Sequence, residues 1–447
     1  MSIAGAEIVK DSVEPSFQDL PGPLSSLHFE KIDLGSTPIA FDRIDVHTKD
    51  SDSIKLDIDV AWDGNCDIRL RANVIGSFGV RSIKLNGRLS VLMSPLIDKL
   101  PLVSAIQVAF INPPHIELDF TGAAQIADLS IIDDTIRSTI HQTLAEMMVL
   151  PNRMLTKMDL TSTIFDAYQE PQGIARLTIV GGGGFKVQGR LLNRDVPDVF
   201  VKTTLGSSPT WKSSTKSNAT NPVWNESKDF ILSDDDQLIT VDAYDSDDLS
   251  SHDDLGIASI TVGDLLLENR MKNLQLKKKG KVTGAHIMVN LSGIYSFVPD
   301  LMSFESPEFE GPGALCGLLT ILVAQAFNIP VAKEDANVYV KARWGEKEYA
   351  TAAVVDAAGV DALNPSFDVP FLCPLTQELA ATKEDVVFTV MNGTDVIGTA
   401  DVPFSTLVDS PGMMVTAKTT VGDKGAMLQF RVILRGLLLS PETAIEV

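Results

Sequence analysis

The chain reads as an α+β domain followed by two all-β sandwiches. Three observations predict this. The length of 447 residues suits roughly three domains of about 150 residues, each large enough for its own core. An apolar pattern of period two runs from Leu27 to about Phe120, with a helical pattern on either side. Two later units, rich in short strands and turn clusters, repeat one order of signals. The expected domains are 1–165, 174–298 and 314–437.

Composition narrows the function classes. Hydrophobic residues make up 44%, as in ordinary globular chains, and the formal charge is −22. Such an acidic body repels nucleic acid and bare anionic membranes, so contact with an anionic surface requires a local basic patch or a bound cation. Cys66, Cys316 and Cys373 show neither zinc spacing nor a disulfide framework, which fits a reducing, cytoplasmic compartment. The first residues lack a basic region followed by an apolar one, so no signal peptide is expected. The apolar run from Leu315 to Ala324 falls short of the ~20 residues that span a bilayer.

Residues 1–20 predict a short helix with Ile8, Val9, Val13 and Phe17 on one face, bent or ended by Pro15. In IKLDIDVAW, Ile54, Leu56, Ile58 and Val60 alternate with Lys55, Asp57 and Asp59, the mark of a half-buried strand. Ile68, Leu70, Ala72 and Val74 repeat it, as do Ile83, Leu85, Leu89, Val91 and Met93, then Ile116, Leu118 and Phe120. Ile136, Ile140, Leu144 and Met148 predict a helix over 133–148, closed by Pro151. Linkers are expected near Tyr168–Gly173 and over 299–313.

The run LPGPLSSLHFEKIDLGSTPIAFDRIDVHT, then LDIDVAWDGNCDIRL, GRLSVLMSPLIDKLPLVSAIQVAFINPPHIELDF and VLPNRM, resembles synaptotagmin-like mitochondrial-lipid-binding (SMP) domains over about residues 5–160. The resemblance is to extended synaptotagmins, tricalbins and plant synaptotagmins. It implies a TULIP-like half-barrel whose apolar seam holds the acyl chains of a glycerophospholipid. The implied lining is Ile58, Val60, Leu70, Val74, Leu85, Leu89, Val91, Val108, Phe110 and Leu118. A homodimer through this domain is implied as well, and so is a peripheral location at contacts between endoplasmic reticulum and plasma membrane. Family members carry an upstream membrane anchor and a longer first helix. This chain begins inside that helix, as a soluble relative or as a sequence without its true N-terminus.

In the second unit, ITVDAYDSDDLSSHDDLG places Asp245, Asp247 and Asp253 in the order D-x-D-x5-D. Together with NATNPVWNE and RDVPDVFVK it resembles a C2 domain. The implied calcium ligands are Asp195, Asp198, Asp245, Asp247 and Asp253. The chemistry agrees, because calcium takes six to eight hard oxygens and accepts carboxylates from adjacent loops. Asp195 and Asp198 are three apart where the family has six, which predicts a weaker or smaller site. Asp242 is expected to point outward from its strand, and Asp248 and Asp254 to be solvated. Lys277, Lys278, Lys279 and Lys281 form the densest basic run, either a solvated turn or a contact for anionic headgroups.

The third unit resembles the same scaffold through DANVYVKARWG and DALNPSFDVPF. Asn337 and Asn392 stand where aspartates are expected, and the shorter loop to Gly398 is expected to lack the third carboxylate, so no calcium is expected there. The histidines show no metal spacing, and no G-x-S-x-G, P-loop or H-E-x-x-H motif occurs. The leading expectation is a non-enzymatic lipid carrier that docks to anionic phospholipid membranes with calcium and binds no nucleic acid. The alternatives are a calcium-responsive tether or scaffold without transfer activity and a C2-containing lipid hydrolase.

Overall fold

The computed structural model describes residues 3–18, 20, 22–47, 52–73, 76–121, 129–159, 161–187, 196–246, 252–357 and 359–439, and the side chains of these except 3, 4, 8, 11, 23 and 129–134. Val74, Asp195, Asp247 and Asp248 lie outside the described residues.

The first domain is a curled antiparallel sheet flanked by two helices. Its strands are β1 (His28–Asp33), β2 (Ala40–His47), β3 (Ile54–Ala72), β4 (Gly76–Met93), β5 (Ala105–Phe110), β6 (His115–Thr121) and β7 (Met154–Lys157). The order is β1-β3-β4-β5-β7, with β2 on β3 and β6 on β4. The two segments expected as separate strands over 54–74 are one strand, β3, bent by a register shift between Asn65 and Ile68. Such bulges raise local twist, which a curled sheet requires.

Helix α1 (Ile3–Phe17) continues through Pro15 to Phe17. Phe17 is 1% exposed, and Val9 and Val13 pack beside it. Helix α2 (Leu129–Met148) starts earlier than the periodicity indicates. Its Ile136, Ile140 and Leu144 join α1 in closing one end of the sheet over Trp62, Ile68, Leu70, Phe78, Ile116 and Leu118.

The second domain comprises β8 (Gly173–Gly183), β9 (Val199–Leu205), β10 (Trp211–Lys212), β11 (Val223–Leu232), β12 (Leu238–Asp245), β13 (Asp253–Thr261), β14 (Met271–Lys278) and β15 (Lys281–Val298). The third comprises β16 (Gly317–Phe327), β17 (Asn337–Trp344), β18 (Lys347–Ala350), β19 (Val354–Val355), β20 (Ser366–Leu375), β21 (Val386–Asn392), β22 (Asp395–Val402), β23 (Met414–Val421) and β24 (Ala426–Leu439). Inward residues alternate along the strands, as Val199, Val201, Thr203 and Leu205 do on β9. The two sandwiches join edge to edge where Tyr295–Val298 pairs with Gly436–Leu439.

The expected linkers are packed segments. Helix α3 (Ile164–Ala167) buries Ile164 and Phe165 against Leu322, Ala324 and Ile433 of the third domain. Glu170 accepts from Nε and Nη2 of Arg435 at 2.8 and 2.7 Å. In the second linker, Phe309 is 3% exposed and meets Tyr295 edge to face. The turn Asp234–Asp236 docks the first domain. Asp234 receives Lys55 Nζ at 2.5 Å, and Asn112 Nδ2 donates to the Asp236 carbonyl at 2.8 Å. Burial opposes the Lys55 charge, but Asp234 and Asp57 outweigh it and hold the ammonium above the ordinary lysine value.

Candidate lipid groove and calcium tip

The groove follows from pairing register. Neighbours across a strand pair share a face, so register partners form rows. One row is Val46–Leu56–Val91–Val108–Met154, and a second is Ile44–Ile58–Leu89–Phe110. A third begins Phe41–Val60–Gly87. Every residue in these rows except Gly87 is apolar. A Cβ on Gly87 would lie 2.8 Å from the Phe110 ring, so glycine there lets that ring lie flat on the sheet.

Burial on the two faces is inverted. The opposite face carries Asp57, Ser90 and Gln107, exposed by 2, 0 and 4%. Gln107 Nε2 donates to the Ala167 carbonyl at 2.5 Å, and Lys55 bridges Asp57 to Asp234. The polar face is thus covered by the linker and the second domain. The apolar face is open: Leu56, Ile58, Leu89, Val91 and Val108 are half-buried, and Phe41, Ile44 and Val46 are 59, 54 and 61% exposed. Exposed apolar rows of this size mark an interaction surface.

The expected lining residues therefore divide. Ile58, Leu89, Val91 and Val108 lie on the open rows, with Val60 and Phe110 at their buried inner end beside Met148 of α2. Leu85 bridges the open and closed ends. Leu70 and Leu118 sit in the closed core beneath α1, at 2 and 9% exposure, so the open face does not include them. Phe41, Ile44 and Val46 escaped the sequence pattern because a bulge between Phe41 and Ile44 breaks its period. Allowing one extra residue in the alternation recovers all three.

At the far end of the second domain, β9 begins beside the end of β12. The Asp198 N–H donates to Asp245 Oδ1 at 2.7 Å, and Ser246 N–H returns to the Asp198 carbonyl at 2.9 Å. Asn218 N–H donates to Asp198 Oδ1 at 2.6 Å, and Asp253 stands directly across from Asp245 in register. Three of the five expected ligands thus share one tip; Asp195 and Asp247 fall outside the described residues. Among the described residues, no three His, Cys, Asp or Glu side chains converge as a metal site. The donor type nonetheless suits calcium, since Asp198, Asp245 and Asp253 offer only hard carboxylate oxygens. Asp242 points outward and accepts from the Tyr244 hydroxyl; burial pushes its carboxyl up, and that hydrogen bond opposes the shift. Asp254 accepts from Gly256 N–H at 2.7 Å.

The third domain repeats this tip with amides. Asn337 N–H donates to Asn392 Oδ1 at 2.6 Å, and Gly393 N–H returns to the Asn337 carbonyl at 2.8 Å. The equivalence of Asn337 to Asp198 and Asn392 to Asp245 is thus a shared hydrogen-bond pattern. The shortened loop does not remove the third carboxylate, because Asp395 pairs with Asn392 as Asp253 pairs with Asp245. At the two hydrogen-bonded positions, amides stand in place of carboxylates.

A curled sheet with one open apolar face, ahead of two such sandwiches, defines a lipid-binding domain carried with C2 domains. The synaptotagmin-like mitochondrial-lipid-binding domain family matches residues 5–158, and the C2 family matches 175–277 and 317–418. Human extended synaptotagmin-3 is 28% identical over 265 residues, covering 58% of this chain and 29% of that protein. Human extended synaptotagmin-2 is 22% identical over 455 residues, covering 97% and 48%. A solved structure of extended synaptotagmin-2, holding its SMP domain and two C2 domains, superposes with a TM-score of 0.63 at 22% identity, covering 97% of this chain and 95% of that one. The chain thus carries a match to the SMP lipid-binding domain and two matches to the C2 domain, and in sequence and domain order it is similar to the extended synaptotagmins. It spans about half or less of the length of these curated relatives.

Proposed function

We propose that the protein is a non-enzymatic carrier that takes glycerophospholipid from one membrane and delivers it to another at membrane contacts. The observation that carries this reading is the open apolar face built from the Val46, Ile44 and Phe41 rows, on a sheet whose polar face is already covered. A lipid leaving a bilayer exposes its chains at about 0.8 kcal/mol per CH₂, and a dry aliphatic surface offsets that cost. Acyl chains make no hydrogen bonds, so an aliphatic lining sets little headgroup preference.

Docking falls to the first C2 domain. Calcium held by Asp195, Asp198, Asp245, Asp247 and Asp253 cancels their charge and takes a headgroup phosphate oxygen as a further ligand. The second C2 domain has amides at two of these positions and contributes packing instead. The first domain sits at the end of the C2 domain opposite the calcium tip, through the turn Asp234–Asp236, so the groove is held back from the docked surface.

The test is transfer of a labelled phosphatidylcholine between vesicles. The full chain is expected to accelerate exchange well above the spontaneous rate. Vesicle clustering by calcium without exchange would reject the carrier and leave the tether.

A further inference from the structure

We propose that the hairpin joining β14 to β15 is a second, calcium-independent contact for anionic phospholipid membranes, placed beside the acidic tip. This rests on the docking function proposed above and adds its other half. Strand β13 leaves the tip at Asp253 and runs to Thr261; β14 returns, so the β14–β15 turn comes back to the tip. The register sets Ile257 beside Lys277, Lys277 beside Val282, and Lys278 beside Lys281. Lys278 Nζ donates to the Asp254 carbonyl at 2.5 Å, which ties the turn to the strand that carries Asp253. Lys279 and Gly280 make the turn with φ of 50° and 76°.

Lys277, Lys278, Lys279 and Lys281 are all exposed. Lys272, on the same strand as the first two, is taken by Glu268 at 2.9 Å, whereas these four make no ion pair among the described residues. Beside Lys277, Ile257 and Val282 are 47 and 62% exposed on the same sheet face. Ammonium groups next to exposed aliphatic side chains suit a bilayer interface, where the heads meet phosphates and the apolar groups enter the headgroup layer. The net charge of −22 disfavours a polyanion that must wrap the body, such as nucleic acid.

Docking then has two parts with different ion dependence. The lysine part acts without calcium and weakens with salt. The aspartate part repels the same membrane until calcium neutralises it. The lysines therefore set how much calcium docking requires.

The experiment uses the full chain and the variant K277Q/K279Q/K281Q, which spares the Lys278 tie. Sedimentation is measured with phosphatidylserine-containing and pure phosphatidylcholine vesicles, in chelator and across a calcium series. Wild type is expected to bind the anionic vesicles weakly in chelator at low salt, and the variant not at all. In calcium the variant should bind at least about tenfold more weakly or need correspondingly more calcium, at roughly fivefold per lysine near an anionic surface. Identical binding of both proteins at every calcium and salt level overturns the hairpin proposal alone. Equal binding to the neutral vesicles overturns its electrostatic basis. Wild type that binds no vesicle in calcium overturns the docking reading and this proposal together.

Discussion

Replacing Leu89 and Val91 with Trp is expected to abolish lipid extraction and vesicle-to-vesicle transfer while calcium-dependent docking survives. Val91 lies between Leu56 and Val108 in its row, and Leu89 between Ile58 and Phe110. Both are half-buried on the open face. Each indole covers about 150–250 Å² of apolar surface, so two of them occupy the floor on which an acyl chain would lie. Leu89 also packs against the cluster of Val60, Phe110 and Val149, where added bulk costs about 1–3 kcal/mol. A second variant removes that ambiguity. Ile44→Asp with Val46→Asp puts charge into the same rows at positions already more than half exposed, so folding is spared. Both variants should lose transfer by more than about tenfold, since each buried CH₂ forgone is worth about fourfold. Full transfer by the aspartate variant, with an unchanged melting temperature, would place the cargo elsewhere.

Asp245→Asn with Asp247→Asn is expected to remove calcium-dependent vesicle binding with little effect on the fold. Asp245 accepts the Asp198 N–H, so deleting its side chain would loosen the tip. An amide keeps that bond, as Asn392 does for Asn337 in the neighbouring domain. The substitution thus removes charge and leaves the acceptor. Calcium that binds only the folded form should stabilise wild type by about 2.7 kcal/mol at a hundred times its dissociation constant. The variant should show no calcium-dependent rise in melting temperature, because the second C2 domain has the amides Asn337 and Asn392 where the first has Asp198 and Asp245. A calcium response that persists in the variant would assign the ion to other residues, the second C2 domain first among them.

Much of this was legible in the sequence where a local pattern carried it. The alternation in IKLDIDVAW put Ile58 and Val60 on one face and Asp57 and Asp59 on the other, and the register agrees. Asp198, Asp245 and Asp253, singled out from two separate acidic segments, stand together at one tip. Alternation could not say which face would be covered. Asp57 and Gln107 are buried because other parts of the chain dock on them, and such tertiary contacts leave no periodic trace. The bulge in β2 hid Phe41, Ile44 and Val46 by breaking the period locally. Asp395 was missed because loop length was counted from sequence, whereas register decides which residue faces Asn392. Leu70 and Leu118 share the apolar pattern of the groove residues, and only the helices above them separate core from open face.

The central claim is that the open face of the first domain carries glycerophospholipid. Native mass spectrometry of the purified full chain tests it most directly, since it needs neither a chosen cargo nor a vesicle assay. The protein is expected to fly with added mass that releases glycerophospholipid on activation, and the Ile44→Asp, Val46→Asp variant to fly without it. A wild-type chain that carries no lipid, even after incubation with vesicles, would contradict the claim.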